Sequence, residues 1–362
     1  MITKLKKELQ LTPFIAPFVL SILLLQPLDL AYGQDSLVVF STRGIFDTET
    51  GELSTEPPEL SDATTTLGLN GQNCPPEIAI YVHRVWADEQ EATEEFGRVD
   101  LSVKANTYDI PIIGFSWDSD TPQSPSGWNS AKQIANANGA PLAFFIFDFK
   151  LACPDSNVRL VAHSLGARVA LSALGILNNA ETWNGRNFKI ASVHLLGAAA
   201  DNEKVSKDDQ DSADGIVYGQ AIEFQVDNFY NLFDPRDNLL EPRFVPPIYY
   251  PLFEGNLALG DNGIELGISE PTNYRDINVQ SEIPDNSDID KTDADGDGRC
   301  DLTWIYFPPT ETCTINFVGD NHLAYIGFRD RGSTFNDFSD DIVVDDGAMN
   351  VVVDNWRNPL LP

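Results

Sequence analysis

One stretch of ten residues restricts the fold more than any other part of this 362-residue chain. In Val158–Ala167 (VRLVAHSLGA), a largely apolar run leads into a serine that has small residues two positions to either side. An apolar, helix-like stretch, Leu165–Leu177, follows at once. A strand that turns sharply into a helix needs small residues around the turn, and such a turn lifts the serine hydroxyl above the sheet. The pattern predicts a nucleophile elbow with Ser164 as the nucleophile.

Short apolar runs alternate with helix-like stretches along much of the remaining chain. The predicted strands are Ser36–Ser41, Ile78–His83, Ile110–Trp117, Val158–His163, Phe188–Leu196 and Asp227–Leu232. The predicted helices are Ala87–Val99, Gly127–Phe149 with interruptions at Gly139 and Pro141, Leu165–Leu177 and Asp345–Trp356, although the three valines of the last also suit a strand. Apolar runs separated by helices are typical of parallel strands that are covered on both faces. The sequence therefore predicts an α/β fold with a doubly wound, mostly parallel sheet.

Polar segments interrupt this alternation at three places. Asp47–Gln72 and Asp201–Asp214 have the composition of surface loops. Glu254–Phe317 is longer, is acidic in its second half and shows no obvious strand. An insertion of this length is usually functional or an added module. Because it precedes the candidate base His322, we expect that it covers the site and influences specificity.

Only one of the four histidines suits the role of general base. A serine hydroxyl is a weak nucleophile until a neighbouring base takes its proton. His163 directly precedes Ser164, so its side chain should point away from the nucleophile, and His83 and His194 belong to predicted strands. In folds with this elbow the chain order is nucleophile, acid, base. His322, near the start of a late helix, is therefore the predicted base.

The acid should follow a late strand, where two aspartates are available. Asp237 precedes the apolar pair Leu239-Leu240, which would pack the loop and direct the carboxylate towards the imidazole. Asp234 precedes a proline and suits a turn instead. We therefore prefer Asp237 as the residue that holds the tautomer of His322 and stabilises its charged form, and keep Asp234 as the alternative.

An oxyanion hole requires two backbone N–H groups. The first candidate belongs to Leu165, the residue after the nucleophile. The second belongs to Val85, in the loop that follows the strand Ile78–His83.

Together these stretches resemble the α/β-hydrolase superfamily, and more closely its little-characterised branch with a His-Gly oxyanion loop and a Phe-Ser-Trp strand end. The matching stretches are His83–Trp86, Phe115–Trp117, Ala162–Gly166, Asp237–Leu240 and His322–Tyr325. The resemblance implies a serine hydrolase that needs no cofactor for catalysis and cleaves an ester or related acyl compound, either a small molecule or a lipid.

Arg84 departs from this family pattern, which usually has glycine at its position. A side chain there resists backbone conformations that glycine allows, so the oxyanion hole could be reshaped. Alternatively, Arg84 contacts an acidic group of the substrate, or it faces solvent. The departure also favours a rival hypothesis, in which the chain is a non-catalytic, calcium-stabilised surface protein that uses a hydrolase scaffold for binding or envelope structure. The complete Ser/Asp/His set opposes that hypothesis.

An aspartate-rich segment, DADGDGRCD, places carboxylates at positions 1, 3, 5 and 9 and glycine at position 6. This spacing is typical of calcium loops, although Trp304 stands at position 12 instead of a bidentate glutamate. We expect a structural Ca²⁺ ion there, and the alternative is a merely solvated acidic run. The candidate ligand residues are Asp293, Asp295, Asp297, Arg299 and Asp301.

The N-terminus has the pattern of an export signal. A basic start is followed by the apolar stretch Leu11–Leu25 and by small residues in Ala31–Gly33, which predicts cleavage after residue 33. Three prolines in and around the apolar stretch argue against a retained anchor. We therefore expect one hydrolase domain over residues 34–362, secreted or held at the cell surface, with no stable membrane span after cleavage.

Charge and cysteine content agree with that location. The formal net charge of -32 disfavours nucleic acid and anionic membranes as partners. Four cysteines in an exported chain predict two disulfides. Cys300 and Cys313 would close a small loop. Cys74 and Cys153 each precede a predicted strand, so they would meet if those strands are parallel neighbours.

Overall fold

The fold is built on one parallel sheet, which is seen in a computed structural model. The structure describes residues 37–56, 58–69, 73–208, 215–237, 239–240, 256–267, 269–283, 322, 324–330 and 342–359. The predicted signal segment, the calcium loop and the pair Cys300–Cys313 lie outside these residues.

In the described part of the chain, seven strands form the main sheet, in the spatial order β1-β3-β2-β4-β5-β6-β7, and all their pairings are parallel. Their bounds are β1 Val38–Ser41, β2 Glu77–Val82, β3 Ile112–Ser116, β4 Asn157–His163, β5 Ile190–Leu196, β6 Val226–Phe233 and β7 Tyr274–Asn278. Two further strands, β8 Phe328–Asp330 and β9 Ile342–Asp345, form an antiparallel pair.

Helices cover both faces of the main sheet. They are α1 Ala63–Thr66, α2 Glu89–Ala105, α3 Pro125–Ala152, α4 Gly166–Asn178, α5 Glu181–Gly185, α6 Gly219–Gln225, α7 Leu259–Asn262 and α8 Met349–Arg357, with a 3₁₀ turn at Ala324–Ile326. The prediction of a doubly wound, mostly parallel α/β sheet is confirmed.

Alternating side chains of the strands enter two separate hydrophobic clusters. In β2, Ile78 and Ile80 pack with α3 and α4 on one face, whereas Tyr81 packs with α2 and α8 on the other. Successive residues of a strand point to opposite faces, so a strand that is apolar throughout is buried twice. This is why the central strands were readable as largely apolar runs.

The order of the strands reverses beside β2 and β4. The chain passes from β2 outward to β3, crosses back to β4 and continues in the opposite direction to β5. In open α/β sheets, a crevice opens at the carboxyl ends of the strands where the order reverses, and ligands bind there. The loop after β2 and the elbow after β4 both lie at this point.

The third helix is continuous, where the sequence predicted an interruption. Pro141 lies inside it and Gly139 does not end it. A Cβ atom at Gly139 would lie 2.3 Å from Ser172 Oγ on α4, so this glycine permits close packing of the two helices. That packing offsets the backbone hydrogen bond that proline removes.

The acidic insertion contains structure that the sequence did not predict. Its described part includes α7 and the edge strand β7, whose sequence YRDIN has no apolar run. An edge strand that is partly exposed does not need one. At the C-terminus, the helical alternative is correct from Met349 onward, because Met349, Val352, Val353 and Trp356 are buried on one face.

A disulfide joins Cys74 to Cys153, with 5.6 Å between their Cα atoms. The two residues precede β2 and β4, which are parallel neighbours, so this predicted pairing is confirmed. The bond lies at the amino ends of these strands, opposite Ser164. No helix among the described residues is both long and apolar enough to cross a membrane.

Candidate active site

Ser164 stands at the carboxyl end of β4 in a left-handed backbone conformation, with φ at 54°. L-residues rarely adopt this conformation, and such strain concentrates at functional sites. The elbow is held on both sides, since Ser164 donates its N–H to Leu196 O at 3.0 Å and accepts at its own carbonyl from Ala199 N at 3.1 Å. These bonds join the predicted nucleophile to the end of β5.

Gly166, two residues after the nucleophile, must be small because the backbone at the end of β2 approaches it closely. A Cβ atom at Gly166 would lie 2.6 Å from Val82 O and 2.7 Å from His83 O. The start of α4 therefore touches the end of β2, and this contact places the loop 83–86 beside the elbow.

Asp237 lies at the same edge of the sheet, after β6. Its Oδ2 atom accepts a hydrogen bond from His322 Nδ1 at 2.7 Å. Its Oδ1 atom accepts from the backbone N–H groups of Leu239 and Leu240, at 3.1 and 3.2 Å. The carboxylate is thus held on both oxygens. Leu239 and Leu240 fix it through backbone bonds, and the side chain of Leu240 also packs in the core.

Asp234, the alternative acid, has a different environment. Its carboxylate accepts from the backbone N–H and the guanidinium of Arg236, and the closest of these bonds is 2.9 Å. Arg236 in turn donates to the carbonyls of Gln280 and Ile283. The geometry brings Asp237, and not Asp234, to His322.

The hydrogen bond from His322 to Asp237 leaves the second ring nitrogen of His322 able to accept a proton. Because a carboxylate can only accept, Nδ1 carries the proton and Nε2 keeps a free lone pair. Ser164 is 1% exposed, His322 2% and Asp237 0%. Neither Ser164 Oγ nor His322 Nε2 has a hydrogen-bond partner within the described part of the chain, so the two are not bonded to each other in this state.

His163 contributes a link that the sequence did not predict. Its Nε2–H donates to His322 O at 2.7 Å, and the two rings lie 5.0 Å apart between centroids. The ring therefore ties the backbone of the candidate base to the residue that precedes Ser164. Burial, and then the neighbouring His322, lower the pKa of His163 well below its usual range, so it stays neutral. The only feature of the sequence that could have indicated this bond is the presence of a second histidine next to the serine.

His83 organises the loop after β2. Its Nε2 accepts from Trp117 N–H at 3.1 Å, so Nδ1 carries the proton and donates to Arg84 O at 2.8 Å. The Trp117 indole donates back to His83 O and stacks on the imidazole. These bonds join the His-Arg loop to the Phe-Ser-Trp strand end.

The two candidate oxyanion donors are placed on either side of the elbow. Leu165 immediately precedes α4, and Val85 lies in the loop that Gly166 contacts through Val82 and His83. No hydrogen bond from either N–H to another described residue is found. Arg84 is buried against α2 and the carbonyls of its own loop, so this geometry does not support the predicted solvent-facing position. Its predicted contact with substrate stays a prediction.

No group of three or more acidic, histidine or cysteine side chains among the described residues is arranged to bind a metal ion. The calcium-loop residues 293–301 lie outside that part of the chain, so the calcium site stays a prediction.

Comparison with protein families supports the fold. Residues 68–225 match the model of a family described as an alpha/beta hydrolase of unknown function (DUF900). This segment includes Ser164 and the loop after β2, whereas Asp237 and His322 lie beyond it. The resemblance to α/β-hydrolases that the sequence predicts is confirmed over this segment. A comparison with curated proteins found no match.

Solved structures similar to this chain include three from different organisms. The catalytic core domain of acetyl xylan esterase from Trichoderma reesei is 14% identical, with 57% of this chain and 84% of that chain covered and a TM-score of 0.29. Protein TT1662 from Thermus thermophilus is 12% identical, with 57% of this chain and 81% of that chain covered and a TM-score of 0.32. A cutinase-like protein from Cryptococcus sp. is 15% identical, with 70% of this chain and 88% of that chain covered and a TM-score of 0.26. Similarity at this level does not define an activity or a substrate.

Proposed function

We propose that this chain, which has the α/β-hydrolase fold, is an exported serine hydrolase that cleaves an ester or a related acyl compound. The observation that carries the proposal is the Asp237–His322 pair. It is buried at the same sheet edge as Ser164, and it leaves His322 Nε2 free to accept a proton. The strained elbow at Ser164 supports the same assignment.

In the acylation step, Ser164 Oγ attacks the carbonyl carbon of the substrate while its proton passes to His322 Nε2. Asp237 stabilises the resulting imidazolium and takes no proton itself. The negative charge on the substrate oxygen is stabilised by the N–H groups of Leu165 and Val85. Collapse of this intermediate breaks the bond to the leaving group, which receives the proton from His322.

In the deacylation step, water takes the place of the leaving group. His322 accepts a proton from the water as it attacks the acyl-Ser164 carbonyl, and returns that proton to Ser164 Oγ when the acid product leaves. This cycle uses no metal and no cofactor. It therefore requires only that the His322 ring approach Ser164 Oγ to hydrogen-bond distance, as catalytic hydrogen bonds often do once substrate is bound.

Export is part of the proposal. The Cys74–Cys153 disulfide supports it, because such bonds persist in oxidising compartments and are rare in the cytosol.

The charge of the chain bears on the substrate. The chain has 55 acidic and 23 basic side chains, and this negative balance suits a substrate that is neutral or cationic.

Labelling with a fluorophosphonate tests the proposal, since this reagent forms a covalent bond only with an activated serine. We expect wild type to be labelled on the peptide that contains Ser164, and the variants Ser164→Ala and His322→Ala to remain unlabelled. Ser192→Ala is the matched control, because Ser192 is also buried but lies earlier in a neighbouring strand.

The possible outcomes separate the two hypotheses. Labelling that persists in Ser164→Ala would show that the nucleophile is another residue. A wild-type protein that is folded but unlabelled would favour the non-catalytic binding protein. If wild type is labelled, a panel of esters with graded acyl length identifies the preferred substrate.

A further inference from the structure

Three successive backbone carbonyls of the loop after β2 are bound by side chains of the loop itself. Arg84 O accepts from the His83 ring at 2.8 Å. Arg84 Nη1 donates to Val85 O at 2.9 Å and to Trp86 O at 3.0 Å. Because all three carbonyls are engaged, the orientation of each of these peptide planes is fixed.

These bonds determine the direction of the candidate oxyanion donor. In a planar trans peptide the N–H points away from the preceding carbonyl. Because Arg84 O is turned to the His83 ring, the N–H of Val85 points to the opposite side. The next peptide is held by Arg84 at Val85 O and by the bond from Trp86 N to Ser119 O at 2.8 Å. The donor N–H therefore lies in the first of these two fixed peptide planes, and the plane that Arg84 holds follows it directly.

The Arg84 side chain is itself anchored to α2. Its Nε lies 2.8 Å from Glu95 Oε1, and its Nη2 lies 3.9 Å from Glu91 Oε2. The second oxygen of Glu95 accepts from the Tyr81 hydroxyl at 3.1 Å. The contact between Nε and Oε1 is a close ion pair without the geometry of a hydrogen bond, and the attraction of the two charges holds the planar guanidinium against α2.

A strained residue immediately follows the donor. Trp86 has φ at 56°, in the left-handed region, which a residue with a side chain rarely adopts. Such a conformation persists only where the surroundings hold it. The bonds from Arg84 Nη1 to Trp86 O and from Trp86 N to Ser119 O supply that hold.

We infer that Arg84 is a positioning residue for the oxyanion hole: it fixes the Val85 N–H towards the substrate oxygen through its bonds to its own loop and its ion pair with Glu95. The inference rests on the proposed function and deepens it. In this arrangement Arg84 replaces the flexibility of a glycine with a fixed loop, and it acts through Val85 without touching the substrate.

The test compares this ion pair with a second buried ion pair. Arg159 is as buried as Arg84, at 8% against 9% exposed, and its Nε lies 2.8 Å from Glu77 Oε2. Arg159 lies near the amino end of β4, away from the elbow. The variants are Arg84→Met, Arg84→Lys and Glu95→Gln, with Arg159→Met and Glu77→Gln as controls.

We expect Arg84→Met and Glu95→Gln to lower kcat by roughly 10- to 100-fold with KM almost unchanged, since a misplaced donor weakens binding of the transition state alone. Arg84→Lys should retain part of the activity. A boronic acid, whose serine adduct is tetrahedral, should lose affinity in parallel with kcat. The control variants should lose similar thermal stability and keep kcat when assayed well below their melting temperatures.

Two results would overturn the inference separately. If Arg84→Met and Glu95→Gln retain kcat and boronate affinity to the same extent as the controls, Arg84 does not position the donor, while the serine hydrolase assignment stands. If Arg84→Met does not fold, Glu95→Gln and Arg84→Lys decide the question by the same measurements. If wild type does not react with the fluorophosphonate, the proposed function fails and this inference fails with it.

Discussion

The contact between Gly166 and the end of β2 allows a test of how the position of the Val85 N–H affects the rate. Adding one methyl group at Gly166 would move this N–H relative to Ser164. In Gly166→Ala, the new Cβ would lie 2.6 Å from Val82 O and 2.7 Å from His83 O. An ordinary contact between carbon and a carbonyl oxygen is about 3.4 Å, so the two backbone segments must separate by about 0.8 Å. No change of rotamer relieves a clash with backbone atoms.

The expected consequence is mainly a loss of rate. Val85 follows His83 by two residues, so its N–H moves with the displaced segment relative to Ser164. A misplacement of about 1 Å can cost about 10²-fold in rate, and loss of one oxyanion donor costs about 10²- to 10³-fold. We therefore expect kcat of Gly166→Ala to fall by about 10²-fold, while KM changes much less.

Gly139→Ala is the matched control. Its new Cβ would be equally crowded, 2.3 Å from Ser172 Oγ and 2.8 Å from Ala173 N, but this clash lies between α3 and α4, about two turns beyond the elbow. Overpacking of this kind costs about 1–3 kcal/mol of stability. The assay measures kcat and KM on an activated ester, together with urea unfolding of both variants. If Gly166→Ala kept the kcat of Gly139→Ala at equal stability, the argument that this contact positions the donor would be refuted.

Three further predictions follow from single groups. Asp237→Asn should lower kcat by about 10⁴-fold in steady-state assays, because an amide no longer holds the required tautomer, whereas Asp234→Asn should act mainly on stability. Replacing Cys74 and Cys153 by serine should lower the free energy of unfolding in urea by about 4.5 kcal/mol, given a separation of 79 residues, and leave kcat unchanged at temperatures where the protein is folded. Burial, and then the nearby Arg159, lower the pKa of His194 to about 3, so between about pH 6.5 and 3 only the unfolded chain takes up its proton. Stability is then full above pH 6.5 and falls with decreasing pH, and urea titrations of His194→Phe should show a slope that is shallower by about 1.4 kcal/mol per pH unit; an unchanged slope would contradict the shift.

The parts of the fold that could be predicted from the sequence are the segments in which successive residues are all buried or all restricted in size. The central strands are buried on both faces, so β2 and β4 appear in the sequence as largely apolar runs. The elbow was recognisable because close approach restricts its neighbours to small residues, as at Gly166. Strand β7 was missed because it lies at the edge of the sheet that the described residues form, and its composition therefore follows no simple pattern.

In the candidate site, too, some features could be predicted from the sequence and others could not. Chain order was sufficient to select His322 and to prefer Asp237, and the geometry brings these two together. The bond from the His163 ring to the carbonyl of His322 spans 159 positions of sequence, so no local pattern reports it. The sequence interpretation treated His163 as a residue that points away from the nucleophile and did not consider a bond to the backbone of the base.

Arg84 shows why a departure from a family pattern is weak evidence against activity. From the sequence, a side chain at a glycine position left three alternatives open: a reshaped oxyanion hole, because glycine tolerates conformations that other residues resist, a contact with an acidic group of the substrate, and a solvent-facing side chain. In the structure the left-handed conformation falls on Trp86 instead, two residues later. The Arg84 side chain folds back onto the loop and binds the carbonyls on either side of the Trp86 N–H. A loop can therefore lose the glycine and keep its geometry if the new side chain supplies the bonds that hold it, and whether it does so depends on a carboxylate at Glu95, which no motif around position 84 includes.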